Sequence, residues 1–457
     1  MGFSPGRRAA FGKDWTKGNT FKNLLSLSWP MAVTNLLMML GPTIDMIWVG
    51  KLGSAAIAGV GVAGMAVQLV VVSMMGMMMG VRALIARFIG AGDIKGANQV
   101  IAQAFVIGFV FSIAMGAIGI FFAEPILIGF GLEADVVKEG AAYLRILFVG
   151  GVAMSLRIVS EASMQASGDT VTPMKIAIGY RVLHIALAPV LIFGLWIFPR
   201  MGVSGAAVTN IVSQSLGGII GIWVLLSGRS LLRLSFRNFR LDLNIIWRMV
   251  KIGFPALITA IQRSFSQIVL MWFIVPFGTL AVAAHTINQR VEMMLFMPGM
   301  SLGMGAGVLI GQNLGAGQPE RAERAGWLAV AVVEGLMVIG SILILVGAEY
   351  IIRVFNTEPG LVALASSFLR IAVAGYVVVG LMGVLQQALS GAGDTIPTMI
   401  ISLATVWVVT LPLAYFLPRV TDLGVLGIRW AMVAGVIFPA VALTVYFKLG
   451  RWKRKKV

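Results

Sequence analysis

The sequence predicts an all-α membrane protein, and three observations carry that prediction. Apolar residues make up 59% of the chain and charged residues only 12%, with a mean hydropathy of +0.95, against about 45–50% and about 25% for a soluble domain. Apolar runs recur along the whole length, long enough to cross about 30 Å of hydrocarbon as helices that satisfy their own backbone hydrogen bonds. The basic residues are gathered: Arg7, Arg8, Lys13, Lys17 and Lys22 at the start, Arg229, Arg233, Arg237 and Arg240 in the middle, and Arg451, Lys453, Arg454, Lys455 and Lys456 at the end. That is the positive-inside pattern of a chain with both termini in the cytoplasm. A formal charge of +17 would otherwise suit nucleic acid; with the charges at the cytoplasmic ends of spans, anionic membrane lipids are a sufficient partner and no nucleic acid is expected.

Apolar runs read against glycine, proline and charge breaks give twelve helices. They cover residues 24–48, 55–81, 100–122, 141–167, 173–197, 205–227, 252–277, 280–310, 326–347, 366–389, 397–417 and 426–447. Residues 1–23 are too charged, and lack the apolar core and cleavage site, to be a removable signal, so they read as a cytoplasmic N-terminal segment. The basic stretch 228–251 reads as a cytoplasmic linker between a bundle at 24–227 and a second at 252–447, and 448–457 as a cytoplasmic tail. No cysteine is present, so no disulfide and no thiolate metal site is expected.

The halves repeat each other at a constant separation of 225 residues from Pro30 to Thr170. Pro30 answers to Pro255, Gly53 to Gly278, Gly90-Ala91-Gly92 to Gly315-Ala316-Gly317, Leu144-Arg145-Ile146 to Leu369-Arg370-Ile371, and Gly168-Asp169-Thr170 to Gly393-Asp394-Thr395. Six spans per half give both halves one orientation in the membrane. Such halves suit alternating access around a shared midplane site. The glycine-rich "GQNLGAGQPERA" and "ARFIGAGDIKGA" are then the cytoplasmic turns between the second and third helices, where glycine supplies positive φ. "GVGVAG" matches the dinucleotide pattern but lies inside a span with no preceding strand and no acidic partner at the right distance, so it is rejected.

"LIGQNLGAGQPERA", "GDTVTPM", "APVLIFGL", "MGVSGAAV" and "SGAGDTIPT" resemble the multidrug and toxic compound extrusion (MATE) transporters over essentially the whole chain. The resemblance implies two pseudo-symmetric six-helix bundles in a V around a central cavity, exporting organic molecules in exchange for H⁺ or Na⁺.

Charged side chains at membrane depth cost at least about 2.5–3.5 kcal/mol and are therefore functional suspects. They are Asp45, Arg157, Glu161, Arg181 and His184 in the first half, and Arg263, His285, Arg290, Glu292 and Glu334 in the second. Asp45 follows Pro42, which should bend the helix beside it, and the resemblance places it at the family's cation-coupling aspartate. In the fifth span, family members often carry an asparagine and, four residues on, an aspartate; here those positions are His184 and Ala188. Hard Na⁺ wants a cage of oxygens, whereas histidine is suited to carrying a proton. H⁺ is therefore favoured over Na⁺, with Asp45 as the coupling residue and His184 in support. Arg157 and Glu161 stand four apart and either pair or face the cavity. Arg181 either neutralises Asp45 or Glu161, or contacts an anionic group of the substrate. One family branch places a glutamate on the seventh span, where Gln262-Arg263 stands, and an aspartate on the tenth, where apolar residues such as Val379 stand. Arg157, Glu161, Arg181, Gln262, Arg263 and Glu292 are the candidate cavity residues. The methionine clusters "SMMGMMMG" and "VEMMLFMPGM" suit either a pliant cavity or helix packing.

The expected activity is secondary active multidrug export by a monomer in the plasma membrane, without a cofactor. The alternative is a flippase for a lipid-linked or anionic substrate, because several arginines could hold a diphosphate. No G-x-x-x-x-G-K-[ST] motif calls for ATP, and no H-E-x-x-H motif calls for an intramembrane enzyme.

Overall fold

In the computed structural model, residues 13–129, 134–235 and 239–455 are described. Arg7, Arg8, Arg237 and Lys456 of the basic pattern lie outside them. The described chain is helical: α1 (Thr20–Val49), α2 (Ser54–Gly90), α3 (Ile94–Gly129), α4 (Ala134–Val149), α5 (Gly151–Ser167), α6 (Val171–Phe193) and α7 (Gly202–Ser227), then α8 (Leu243–Ile274), α9 (Thr279–Gly315), α10 (Pro319–Arg353), α11 (Pro359–Ala392), α12 (Thr395–Ala404), α13 (Leu411–Val420) and α14 (Val425–Leu449). Eleven spans among the described residues are long and apolar enough to cross a membrane, and α4 with α5 makes a twelfth, bent by 48°. The fourth span, expected as one helix over 141–167, is thus two helices meeting at Gly150. A Cβ there would collide with Ile211 of α7, so the missing side chain lets α7 pack into the bend.

The eleventh span is continuous through a π-helical segment, Thr405–Thr410, between α12 and α13. Its counterpart α6 has no such segment. The helices also overrun the apolar windows. The second, expected to end near 81, continues to Gly90 and carries Arg82 and Arg87 within it. Arginine and alanine are good helix formers, so the turn stops the helix, not the loss of hydrophobicity.

The repeat is visible in backbone geometry. Ala91, Gly92 and Asp93 donate to Arg87, Ile89 and Phe88 carbonyls at 2.9, 3.1 and 2.8 Å, and Ala316, Gly317 and Gln318 donate to Gln312, Leu314 and Asn313 at 2.9, 3.1 and 2.8 Å. Gly92 and Gly317 sit at φ +78° and +71°, where a Cβ would be strained. These are Schellman-like closures, which satisfy carbonyls that a helix end leaves open. The G-D-T turns match likewise, with Asp169 donating to Met164 and Asp394 to Leu389 at 3.0 and 2.9 Å.

Two compact units result. Of the described residues, one holds those up to Trp15 and those within Val33–Lys251; the other holds Thr16–Ala32 and those within Ile252–Val457. The expected bundles at 24–227 and 252–447 follow chain order, whereas packing places the start of α1 with the later helices and the start of α8 with the earlier ones. The first unit is centred on Val60, Leu127, Leu144, Phe148 and Ile192. The second has two apolar clusters, around Ile344, Phe368 and Leu369 and around Leu270, Ile274 and Ile428.

Candidate functional site

Within the first unit, α1 and α6 bring together two residues 139 apart in sequence. His184 Nε2 lies 2.9 Å from Asp45 Oδ1, and both side chains are almost fully buried. The other oxygen, Asp45 Oδ2, has no hydrogen-bond partner. The imidazole either donates to a carboxylate or accepts from a carboxylic acid, so the pair can hold a proton at either partner. The hydroxyl-bearing ring of Tyr143, on α4, is also buried within electrostatic range of Asp45. α1 remains helical through Pro42, so the proline removes a donor without ending the helix.

Arg181 forms no salt bridge with Asp45 but lies within electrostatic range of it. Its guanidinium fills the notch left by Gly41, one turn before Asp45 on α1, and lies 5.4 Å from the Tyr180 ring centre. Its buried Nε has no hydrogen-bond partner. Arg157 stands 5.3 Å from the same ring and pairs with Glu161 at 2.6 Å, while its Nε donates to Gln214 at 3.1 Å. Gln165 donates to the second Glu161 oxygen at 3.1 Å, and Arg82 of α2 lies within electrostatic range of the same carboxylate. Arg157, Glu161 and Tyr180 line a small crevice with Met164, Pro173 and Ile176. Three arginines therefore share the interior of this unit with two carboxylates, Asp45 and Glu161.

In the second unit, Gln262 donates to the Ser402 carbonyl at 3.1 Å and Arg263 to Gln386 at 3.1 Å. Glu292 is held inside the bundle: its Oε1 accepts Arg429 Nη2 at 2.5 Å and the Tyr376 hydroxyl at 3.0 Å. Arg429 is fully buried against the Phe368 ring, 5.3 Å from its centre. His285 is fully buried too, and neither ring nitrogen has a partner. A buried ion pair with a second hydrogen bond, from Tyr376, is costly to break, because each loose charge would be left unpaired.

The chain matches the MatE family profile over residues 30–190 and 255–416, which together span most of its length. The chain belongs to the MatE family. MATE relatives span nearly all of it: a probable multidrug resistance protein NorM of Thermotoga maritima is 28% identical, covering 95% of this chain and 94% of its own. A protein named as a FAD transporter of Shewanella oneidensis is 26% identical over 86% of each chain. A crystal structure of MATE in the bent conformation matches with a TM-score of 0.89 at 22% identity, covering 98% of this chain and 97% of that one. The protein is accordingly a multi-pass membrane transporter with the MATE fold, in a multidrug efflux family.

Sequence reasoning missed Arg429, Tyr376 and Arg82. Arg429 was detectable as a lone cation in the apolar run "GIRWAMVAG", while Arg82 was hidden because the apolar window ended one residue before it. Tyr376 carried no signal, since a tyrosine in a span is ordinary until an acid is known to face it.

Proposed function

We propose that this MATE transporter is a secondary active exporter of amphipathic organic compounds, driven by an inward H⁺ gradient through alternating access, with Asp45 and His184 as the coupling pair. The observation that carries this reading is the buried 2.9 Å contact between them, with the second aspartate oxygen unbonded. A proton bound there removes a charge from the membrane interior, which changes the packing preference of α1 against α6 by the cost of burying that charge. A Na⁺ ion would need several oxygens around it, and imidazole nitrogen occupies one face of the carboxylate. The reading places the termini in the cytoplasm and the protein in the plasma membrane, from the distribution of basic residues.

Arg157 and Arg181 beside Tyr180 support tolerance of neutral or anionic groups on the substrate. Glu161, Gln262, Arg263 and Glu292 belong to the same proposal as polar groups that shape substrate contact, with Glu292 acting through Arg429. The relative named as a FAD transporter, whose namesake bears phosphates, agrees with anion tolerance. The test is reconstitution in liposomes with an imposed pH or Na⁺ gradient and a panel of cationic and anionic dyes. Export that follows the pH gradient and disappears in Asp45→Asn, while dye binding persists, supports the reading. Export that needs Na⁺ and ignores pH overturns it.

A further inference from the structure

The second unit contains an intramembrane acid outside both clusters. Glu334 stands midway along α10, half-buried, and no cation pairs with it among the described residues. Its Oε1 accepts the Leu381 N–H of α11 at 2.8 Å, and the Gly380 N–H also reaches it. Leu381 is an interior residue of α11, where a regular helix directs each N–H to the carbonyl four residues back. Oε2 is buried and has no partner.

Gly380 makes this approach possible, because a Cβ there would lie 2.9 Å from Val333 and 3.0 Å from the Glu334 carboxylate. The repeat shows what is particular to this half. Val333 against Gly380 answers to Gly108 against Ser155 in the first unit, where the Ser155 hydroxyl donates to the Gly108 carbonyl at 3.1 Å. The residue answering to Glu334 is Phe109, an exposed apolar side chain of the usual kind for a span. One half therefore presents a phenyl ring where the other turns a carboxyl group into the backbone of a neighbouring helix.

We propose that Glu334 is a second proton-binding site of this transporter, one that clamps α11 at Gly380 and Leu381 when ionised and releases it when protonated. An ionised carboxylate is a strong acceptor for two amide donors. The protonated form is a weaker acceptor and brings an O–H that must find its own partner in a region without water. Proton binding thus changes which groups the Gly380–Leu381 turn can bond, in the middle of a membrane helix.

The surroundings leave the carboxyl group to titrate on its own. From α9, Gly299 meets Val333 and Leu295 meets Gly340; His285, Arg290 and Glu292 lie earlier on that helix, and Glu292 is held by Arg429 and Tyr376. From α11, Tyr376 serves Glu292 and Arg370 bonds Glu349. From the end of α14 and the tail, Phe447 meets Gly326 and Lys453 pairs with Glu323, two turns or more before Glu334.

The experiment uses full-length protein in liposomes and dicyclohexylcarbodiimide, an apolar reagent that adds to protonated carboxyl groups in membranes, with adducts mapped by peptide mass spectrometry from pH 5 to pH 9. The expected result is an adduct on Glu334 whose yield is flat at low pH and then falls by about tenfold per pH unit above the titration point. Gly380→Ser, which copies Ser155 of the first unit, should loosen the clamp and shift that fall to a different pH. Asp45→Asn should leave Glu334 labelling unchanged, so the failure of the Asp45 reading and the failure of this one are separable. No adduct at Glu334 at any pH, or a yield that is the same at every pH, overturns the proposal.

Discussion

Asp45 and Leu270 occupy the same place in the repeat, and so do Arg82 and Gly307, Glu161 and Gln386, and Phe109 and Glu334. The repeated turns of the two halves agree bond by bond, yet their polar interiors share almost nothing. In the first unit, an arginine on α2 faces the Glu161 carboxylate on α5. In the second, the equivalent helices come into backbone contact: a Cβ on Gly391 would lie 2.2 Å from the Gly307 carbonyl oxygen. Charge is gathered in the second unit elsewhere, in the Glu292–Arg429–Tyr376 cluster joining α9, α14 and α11. Small residues at the turns are kept in both halves, while the buried charges of each half are held by its own local set of partners.

That contrast can be broken most severely at Asp45. Substituting it with leucine, the residue at the equivalent position of the other half, should abolish export driven by a pH gradient while leaving the protein folded, as measured by dye flux and by recovery of monodisperse protein from the membrane. Retained flux would show that the halves are functionally equivalent at this position after all.

The next largest effect is expected on stability in the second unit. Arg429→Met should cost about 3–5 kcal/mol, because it strands the Glu292 carboxylate in the bundle. The double variant Arg429→Met with Glu292→Leu should recover much of that loss, as read from thermal unfolding in detergent. If the single variant unfolds like the wild type, the cluster is solvated and not a buried lock.

A smaller loss, about 1–3 kcal/mol, is expected for Gly391→Ala, since the added methyl must push α11 from α9. The same measurement checks it. An unchanged midpoint would mean that the close crossing is not tightly packed.

The smallest effect is one of selectivity. Arg181→Ala should weaken export of anionic dyes several-fold and leave cationic dyes nearly unchanged, compared in one liposome preparation. Equal loss for both charges would assign Arg181 to packing in the Gly41 notch.

Much of this architecture was legible in the sequence, for reasons that are local. Apolar run length sets the number of spans, and the repeated Gly-Ala-Gly and Gly-Asp-Thr segments set the turns, because positive φ is a demand on single residues. The i,i+4 spacing of Arg157 and Glu161 likewise placed them on one helix face, and they pair. Other features lie beyond local pattern. The bend at Gly150 depends on Ile211 arriving from α7.

By itself, then, the chain's composition and repeat determined a twelve-span helical membrane protein with two matched halves, its motifs carried the resemblance to a transporter family, and its spans held Asp45, His184, Glu292 and Glu334 as costly interior groups. Only tertiary packing decided their partners. Asp45 meets His184 across 139 residues, Glu292 meets Arg429 across 137, and Glu334 meets the backbone of α11 across 47. The physical reason is that helical periodicity specifies which way a side chain faces along its own axis. Which helix stands opposite, and how closely, is set by the sum of many small side-chain contacts along the whole crossing.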